Sequence, residues 1–229
     1  MSDYADEANE LDERWKADRC YDSFCHDGII NSDSERYFES NVRILFLLKD
    51  SWDDFYWVRG GDFTSRGGSC KPNSWKFWRM LGMWTYVIGR LASGDEPDKD
   101  EFYEGHNDGG YSLDNVAYVN IKKELGCSSV GYPVLRGFAR RDRDYLNEQI
   151  DLCDPNVIVC CGTYDIYARY ICDGDIPCGS QSEPVWDSVN ERIVIDWCHP
   201  SGKFLSPNTN FGEFVEHCQQ CANWFEDLT

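Results

Sequence analysis

Asp50, Asn120 and His199 are the side chains in this sequence best suited by type and spacing to do chemistry together. Each stands at or just past the end of an apolar run. Residues 44–48, preceded by Val42, run apolar without a break and stop on Lys49-Asp50. Residues 115–121 form a second such run, with Asn120 near its end. Residues 193–197 read as another strand, followed by His199-Pro200-Ser201. A continuous apolar run of this length predicts a strand buried on both faces, as in a parallel sheet. In such sheets the ligand crevice lies outside the carboxyl ends of the strands. An acid, an amide and an imidazole gathered there suit recognition of a base together with management of protons or charge. Taken singly, each also reads as a cap or turn residue.

The elements that must position them are spread along the whole chain. Residues 6–25 carry Leu11, Trp15 and Arg19 at helical spacing and predict an N-terminal arm or helix over the sheet. Residues 26–28 and 31–34 are turn chemistry. Residues 53–72 form a long loop with two Gly pairs, and residues 74–92 a strongly apolar helix. Residues 94–112 read as an acidic surface insertion without periodicity, and 127–138 as a loop. A helix follows over 141–152, then a strand over 157–161, Gly162-Thr163, and a helix to about 171. Residues 172–190 read as a loop or small hairpin, and 211–225 as a final amphipathic helix. Four strands alternating with helices predict an α/β three-layer sandwich. Its central sheet would be four-stranded and parallel, with helices on both faces. The expected organisation is an acidic helical arm over 1–40 and one α/β domain over 41–229 carrying the 94–112 insertion.

The chain of 229 residues has a net charge of −19 and no run approaching the length needed to span a bilayer. With no secretion-type N-terminus, the expectation is a soluble intracellular protein, cytoplasmic or nuclear. The charge is uneven. Residues 1–40 hold 12 acids and 4 bases, and residues 95–114 hold 8 acids and 1 base. These two segments account for −15, which leaves −4 for the other 169 residues. Residues 55–94 are net +5 and residues 119–144 net +3. An acidic shell with two basic segments therefore leaves room for a DNA partner. The twelve cysteines read as thiols in the core or at the surface. Cys218-x-x-Cys221 alone is a weak metal signal.

In order and spacing, residues 42–225 resemble the uracil-DNA glycosylase superfamily. The segment Leu48-Lys49-Asp50-Ser51-Trp52-Asp53 aligns with that family's first motif, in which only the aspartate is identical. Lys71-Pro72-Asn73-Ser74-Trp75 is similar to its proline-rich loop. The apolar strand ending on Asn120, the Pro155, Val157, Ile158, Val159 and Gly162 pattern, and an intact His199-Pro200-Ser201 complete the alignment. The resemblance implies a monofunctional DNA glycosylase without metal or cofactor, acting on uracil or another aberrant base flipped out of DNA. Asp50 would stabilise the sugar cation and orient water, and His199 would stabilise the leaving base. Asn120 would read the base edge.

Trp52 would close the pocket floor, or is a buried core residue. Phe63 is the candidate stacking aromatic. Phe204 and Leu205 would be a wedge into the vacated stack, or simple packing. Ser201, Lys203, Pro72 and Ser74 would contact DNA, with Arg59, Arg66, Arg140 and Arg141 as a basic rim. The branch with an iron–sulfur cluster needs cysteines that residues 128–152 do not supply beside Cys127, so no cluster is expected. The competing reading is a non-catalytic nucleotide- or protein-binding module on the same fold, with the acidic segments available to a protein partner.

Overall fold

The computed structural model describes residues 4–30, 35–51, 76–107, 113, 116–125, 130–202 and 207–228. The chain is α/β, built on one mostly parallel sheet. In chain order the elements begin with α1 (Tyr4–Arg19), β1 (Gly28–Ile29), α2 (Glu35–Phe38), β2 (Ile44–Asp50), α3 (Lys76–Ala92), α4 (Lys99–Asn107) and β3 (Val116–Lys122). They continue with α5 (Tyr132–Arg141), α6 (Arg143–Cys153), β4 (Val157–Cys161) and α7 (Tyr164–Ile166), which passes into a wider turn over Tyr167–Ile171. The chain ends with β5 (Val185–Asp187), β6 (Arg192–Trp197), α8 (Pro207–Gln219) and α9 (Ala222–Glu226).

The sheet order is β1-β3-β2-β4-β6-β5. β3, β2, β4 and β6 are mutually parallel, and the short β1 and β5 add antiparallel edges. The sheet thus has six strands, where the sequence leads one to expect four. β1 is two residues inside a turn-rich segment, and β5 is three residues in a hairpin with β6. Strands this short show no period of their own; pairing with a neighbour defines them.

The four parallel strands follow from their composition. In β2, Ile44, Phe46 and Leu48 pack into one core with α3, α8 and α9, while Leu45 and Leu47 enter a second core with α1, α5 and α6. β4 divides the same way, Val157, Val159 and Cys161 against Ile158 and Cys160. Burial on both sides is why these runs are continuous rather than alternating. At the far end of β2 the pattern stops, and Lys49 and Asp50 are only partly covered.

Two further expectations are corrected. Residues 94–112 are not structureless, because α4 lies within them. Asp98 caps that helix by accepting from the Glu101 N–H at 2.9 Å. Phe102 is buried, its ring 5.6 Å from Tyr86 and 6.4 Å from Phe211. One buried aromatic in a field of acids leaves too weak a period to see. Residues 127–138 are likewise not all loop: α5 starts at Tyr132, takes a proline in its first turn, and buries Leu135 and Ala139. A turn at buried Asp142 separates α5 from α6. α1 lays Ala8 and Trp15 into the second core, and Arg19 Nε donates to Asp142 Oδ1 at 2.8 Å. No helix among the described residues is long and apolar enough to cross a membrane.

Candidate functional site

From β2 the chain crosses to β3 on one side, and β4 and β6 then build outward on the other. The switch point falls between the carboxyl ends of β2 and β4, where an open α/β sheet forms its ligand crevice. Lys49-Asp50-Ser51 and Gly162-Thr163 bound it. β4 turns away through Gly162, whose φ of +69° favours glycine, and whose N–H donates to Trp197 O at 2.6 Å. A side chain there would add strain and stand 3.5 Å from Lys49 Cε and 3.8 Å from the His199 backbone nitrogen. Thr163 Oγ1 donates to Leu47 O at 2.8 Å and ties this turn to β2.

Asp50 lies opposite Lys122 in the β2–β3 register, and Asn120 opposite Leu48. Asn120 is therefore two residues deeper in the sheet, roughly 7 Å below the level of Asp50. By strand alternation both share the face of Phe46 and Tyr118. One strand, β4, separates β2 from β6, so the axes that carry Asp50 and lead to His199 are about 10 Å apart. The structure thus brings Asp50, Asn120 and His199 to one edge, with the amide at the bottom.

Burial pushes the Asp50 carboxyl above its ordinary value, and the charges of Lys122 and Lys49 partly offset it. His199 is lowered to about 4, first by burial and then by Lys49. Its imidazole is therefore neutral at neutral pH. Its Nδ1 accepts the Ser201 N–H at 3.2 Å, which leaves the proton on Nε2. Lys49 Nζ stands 4.6 Å from the centroid of the Tyr132 ring, and the Tyr132 hydroxyl donates to Gly162 O at 3.1 Å. Phe77, at the start of α3, places its ring 6.1 Å from His199 and 6.2 Å from Tyr118.

Asn120 is fully buried. Its backbone N–H and its Nδ2 both donate to Asp27 Oδ2, at 2.7 and 2.9 Å. The other Asp27 oxygen accepts from Lys123 Nζ and, at 3.0 Å, from Gln149 Nε2. Both members of the Asp27–Lys123 pair are fully buried.

Arg140 and Arg141 do not join this edge. They end α5, whose start at Tyr132 faces Gly162, so they lie about 13 Å down the helix. Arg140 stacks over Tyr170, and Arg141 bonds the Tyr21 hydroxyl and Asp142. Ser201 is exposed and its N–H serves His199. Trp52, Phe63, Arg59, Arg66, Pro72, Ser74, Lys203, Phe204 and Leu205 lie outside the described residues.

Sequence reasoning missed Asp27, Gln149 and Phe77 as parts of the site. Asp27 sits in a segment that looks like a turn, and Phe77 among tryptophans that look like core. Only an unusually polar partner for Asn120 could have hinted at the first, and nothing in the spacing does so. Among the described residues, no group of three or more His, Cys, Asp or Glu could hold a metal ion. The described cysteines are free thiols, and burial raises Cys218 and Cys221.

Fold and site together define an α/β protein with polar side chains gathered at its sheet's switch point. Compared with models of known protein families and with characterised proteins, the sequence matches none.

Proposed function

We propose that this chain is a DNA glycosylase on a three-layer fold of the uracil-DNA glycosylase kind, hydrolysing the N-glycosidic bond of uracil or another aberrant base. The observation that carries the reading is the placement, at one edge of the sheet, of a partly buried carboxylate and a neutral imidazole whose Nε2–H is free of Ser201. As the glycosidic bond breaks, its electron pair leaves with the base and the sugar becomes cationic. Asp50, as carboxylate, stabilises the cation and orients the water that adds to it. The Nε2–H of His199 hydrogen-bonds the charge gathering on the base. A proton from the water completes the departing base. Phe77 offers an aromatic wall beside the imidazole.

The test is incubation with single- and double-stranded oligonucleotides bearing uracil, hypoxanthine or modified cytosines, followed by alkaline cleavage at abasic sites. Absence of abasic product on all of them sinks the proposal. The net charge of −19, with Arg140 and Arg141 turned from the crevice, favours a second reading as a non-catalytic nucleotide or protein binder. Saturable nucleotide binding without any base release would select it.

A pH prediction follows from Lys49. Activity needs Asp50 ionised and His199 neutral, so the rate falls on the acid side as each takes up a proton, His199 at about 4. Lys49 lowers both groups. Lys49→Met should therefore move the acid limb to higher pH, with the neutral plateau less affected. A pH–rate profile with an unmoved limb would remove Lys49 from this role.

A further inference from the structure

A carboxylate can only accept hydrogen bonds, and that settles which way the Asn120 amide faces. Asp27 is ion-paired with buried Lys123, and the same carboxylate meets Asn120. The amide must turn Nδ2 toward it, since the opposite orientation would set oxygen against oxygen. Nδ2 is also 3.7 Å from Cys25 Sγ. The amide nitrogen is thereby spent on the protein. Oδ1 points away from Asp27, is buried, and has no hydrogen-bond partner among the described residues. An orphaned buried acceptor is costly, and a ligand donor relieves that cost.

We propose that Asp27 is a specificity-determining residue, which locks Asn120 so that it offers the ligand an acceptor alone and selects a base presenting an N–H donor. This rests on the glycosylase reading and sharpens it. A free amide would read both the ring N3–H and the neighbouring carbonyl of uracil. A locked one reads the donor and ignores the carbonyl. The donor is either a ring N–H or the exocyclic amine of a cytosine-type base, and Asp27 acts only through Asn120.

The experiment uses the full-length wild type and oligonucleotides that differ at one atom of the target base. Donor deletion is tested with 3-deazauracil against uracil, and with pyrimidin-2-one against 5-modified cytosine. Acceptor weakening is tested with 4-thiouracil against uracil. Excision and competitive binding are both measured. Deleting the donor should weaken recognition roughly tenfold or more, with 4-thiouracil within about threefold of uracil. The pair that shows the donor effect identifies which source is used. In Asp27→Leu/Lys123→Met, which removes the acceptor and the charge it balances together, the donor-to-deletion ratio should fall toward one.

Equal recognition with and without the donor, or a tenfold loss with 4-thiouracil, overturns the lock while leaving the glycosylase reading intact. Neither binding nor excision of any base overturns both. The wild-type comparison decides the matter even where the double variant does not fold.

Discussion

Asp50→Asn is expected to slow base release by roughly 10²- to 10⁴-fold, the usual worth of a positioned carboxylate in proton and charge management. The side chains are nearly isosteric, so the loss is electrostatic. Asp50 sits at the end of β2 between two cations, Lys49 and Lys122, yet burial still raises it above an ordinary carboxylate. A carboxylate so placed is poorly screened by water. An amide there cannot stabilise a cationic sugar, and it cannot take a proton from water. His199→Ala should cost about 10²- to 10³-fold, as loss of one donor to developing charge. The two losses should differ in substrate dependence. A base that leaves easily as an anion needs less help from His199, while the demand on Asp50 persists. Single-turnover excision on the best substrate of the base panel measures both. An Asp50→Asn protein with unreduced rate and intact circular dichroism would end the catalytic assignment.

The largest expected effect on stability lies in the buried pair beneath the site. Asp27→Ala should lower unfolding free energy by about 3–5 kcal/mol, since it strands the Lys123 ammonium in the core. The loss is larger than for a surface pair because neither partner is exposed. At least five donor contacts converge on the Asp27 carboxylate, from the Asn120 N–H and Nδ2, Lys123, Gln149 and Cys25. Removing both charges at once, as Asp27→Asn/Lys123→Met, should recover most of the loss. The amide keeps an acceptor for the Asn120 N–H, and methionine fills the lysine stem beside Trp15. Urea unfolding of the wild type and these two variants checks the order. A double variant no more stable than Asp27→Ala would show that the ion pair itself, rather than the uncompensated charge, carries the energy.

The two effects come from one design. A buried polar network holds the Asn120 amide deep at the sheet edge, with Asp50 and His199 at the strand ends above it. Fixing a recognising group from behind is what keeps its geometry when ligand arrives.

The sequence by itself determined the central strands and the order of their carboxyl ends. The reason is physical: a strand buried on both faces must be apolar throughout, so 44–48, 116–119, 157–161 and 193–195 stand out without any partner in view. Polar residues at or just past the ends of three of these strands were equally visible, and they marked Asp50, Asn120 and His199. Elements whose identity depends on a neighbour were not legible. β1 exists because Gly28 and Ile29 pair with β3, and β5 because it folds back on β6. α4 persists because Phe102 finds Tyr86 and Phe211, and α5 because Leu135 and Ala139 meet the second core.

The electrostatics of the site belonged wholly to the tertiary structure. Whether His199 is neutral depends on its burial and on Lys49 standing nearby. Asp27 is 93 residues from Asn120 along the chain, and only the sheet edge brings the two within 2.9 Å. A lone aspartate before a glycine looks like a turn. Enclosed with a lysine, a glutamine and an asparagine, it sets which way an amide can face.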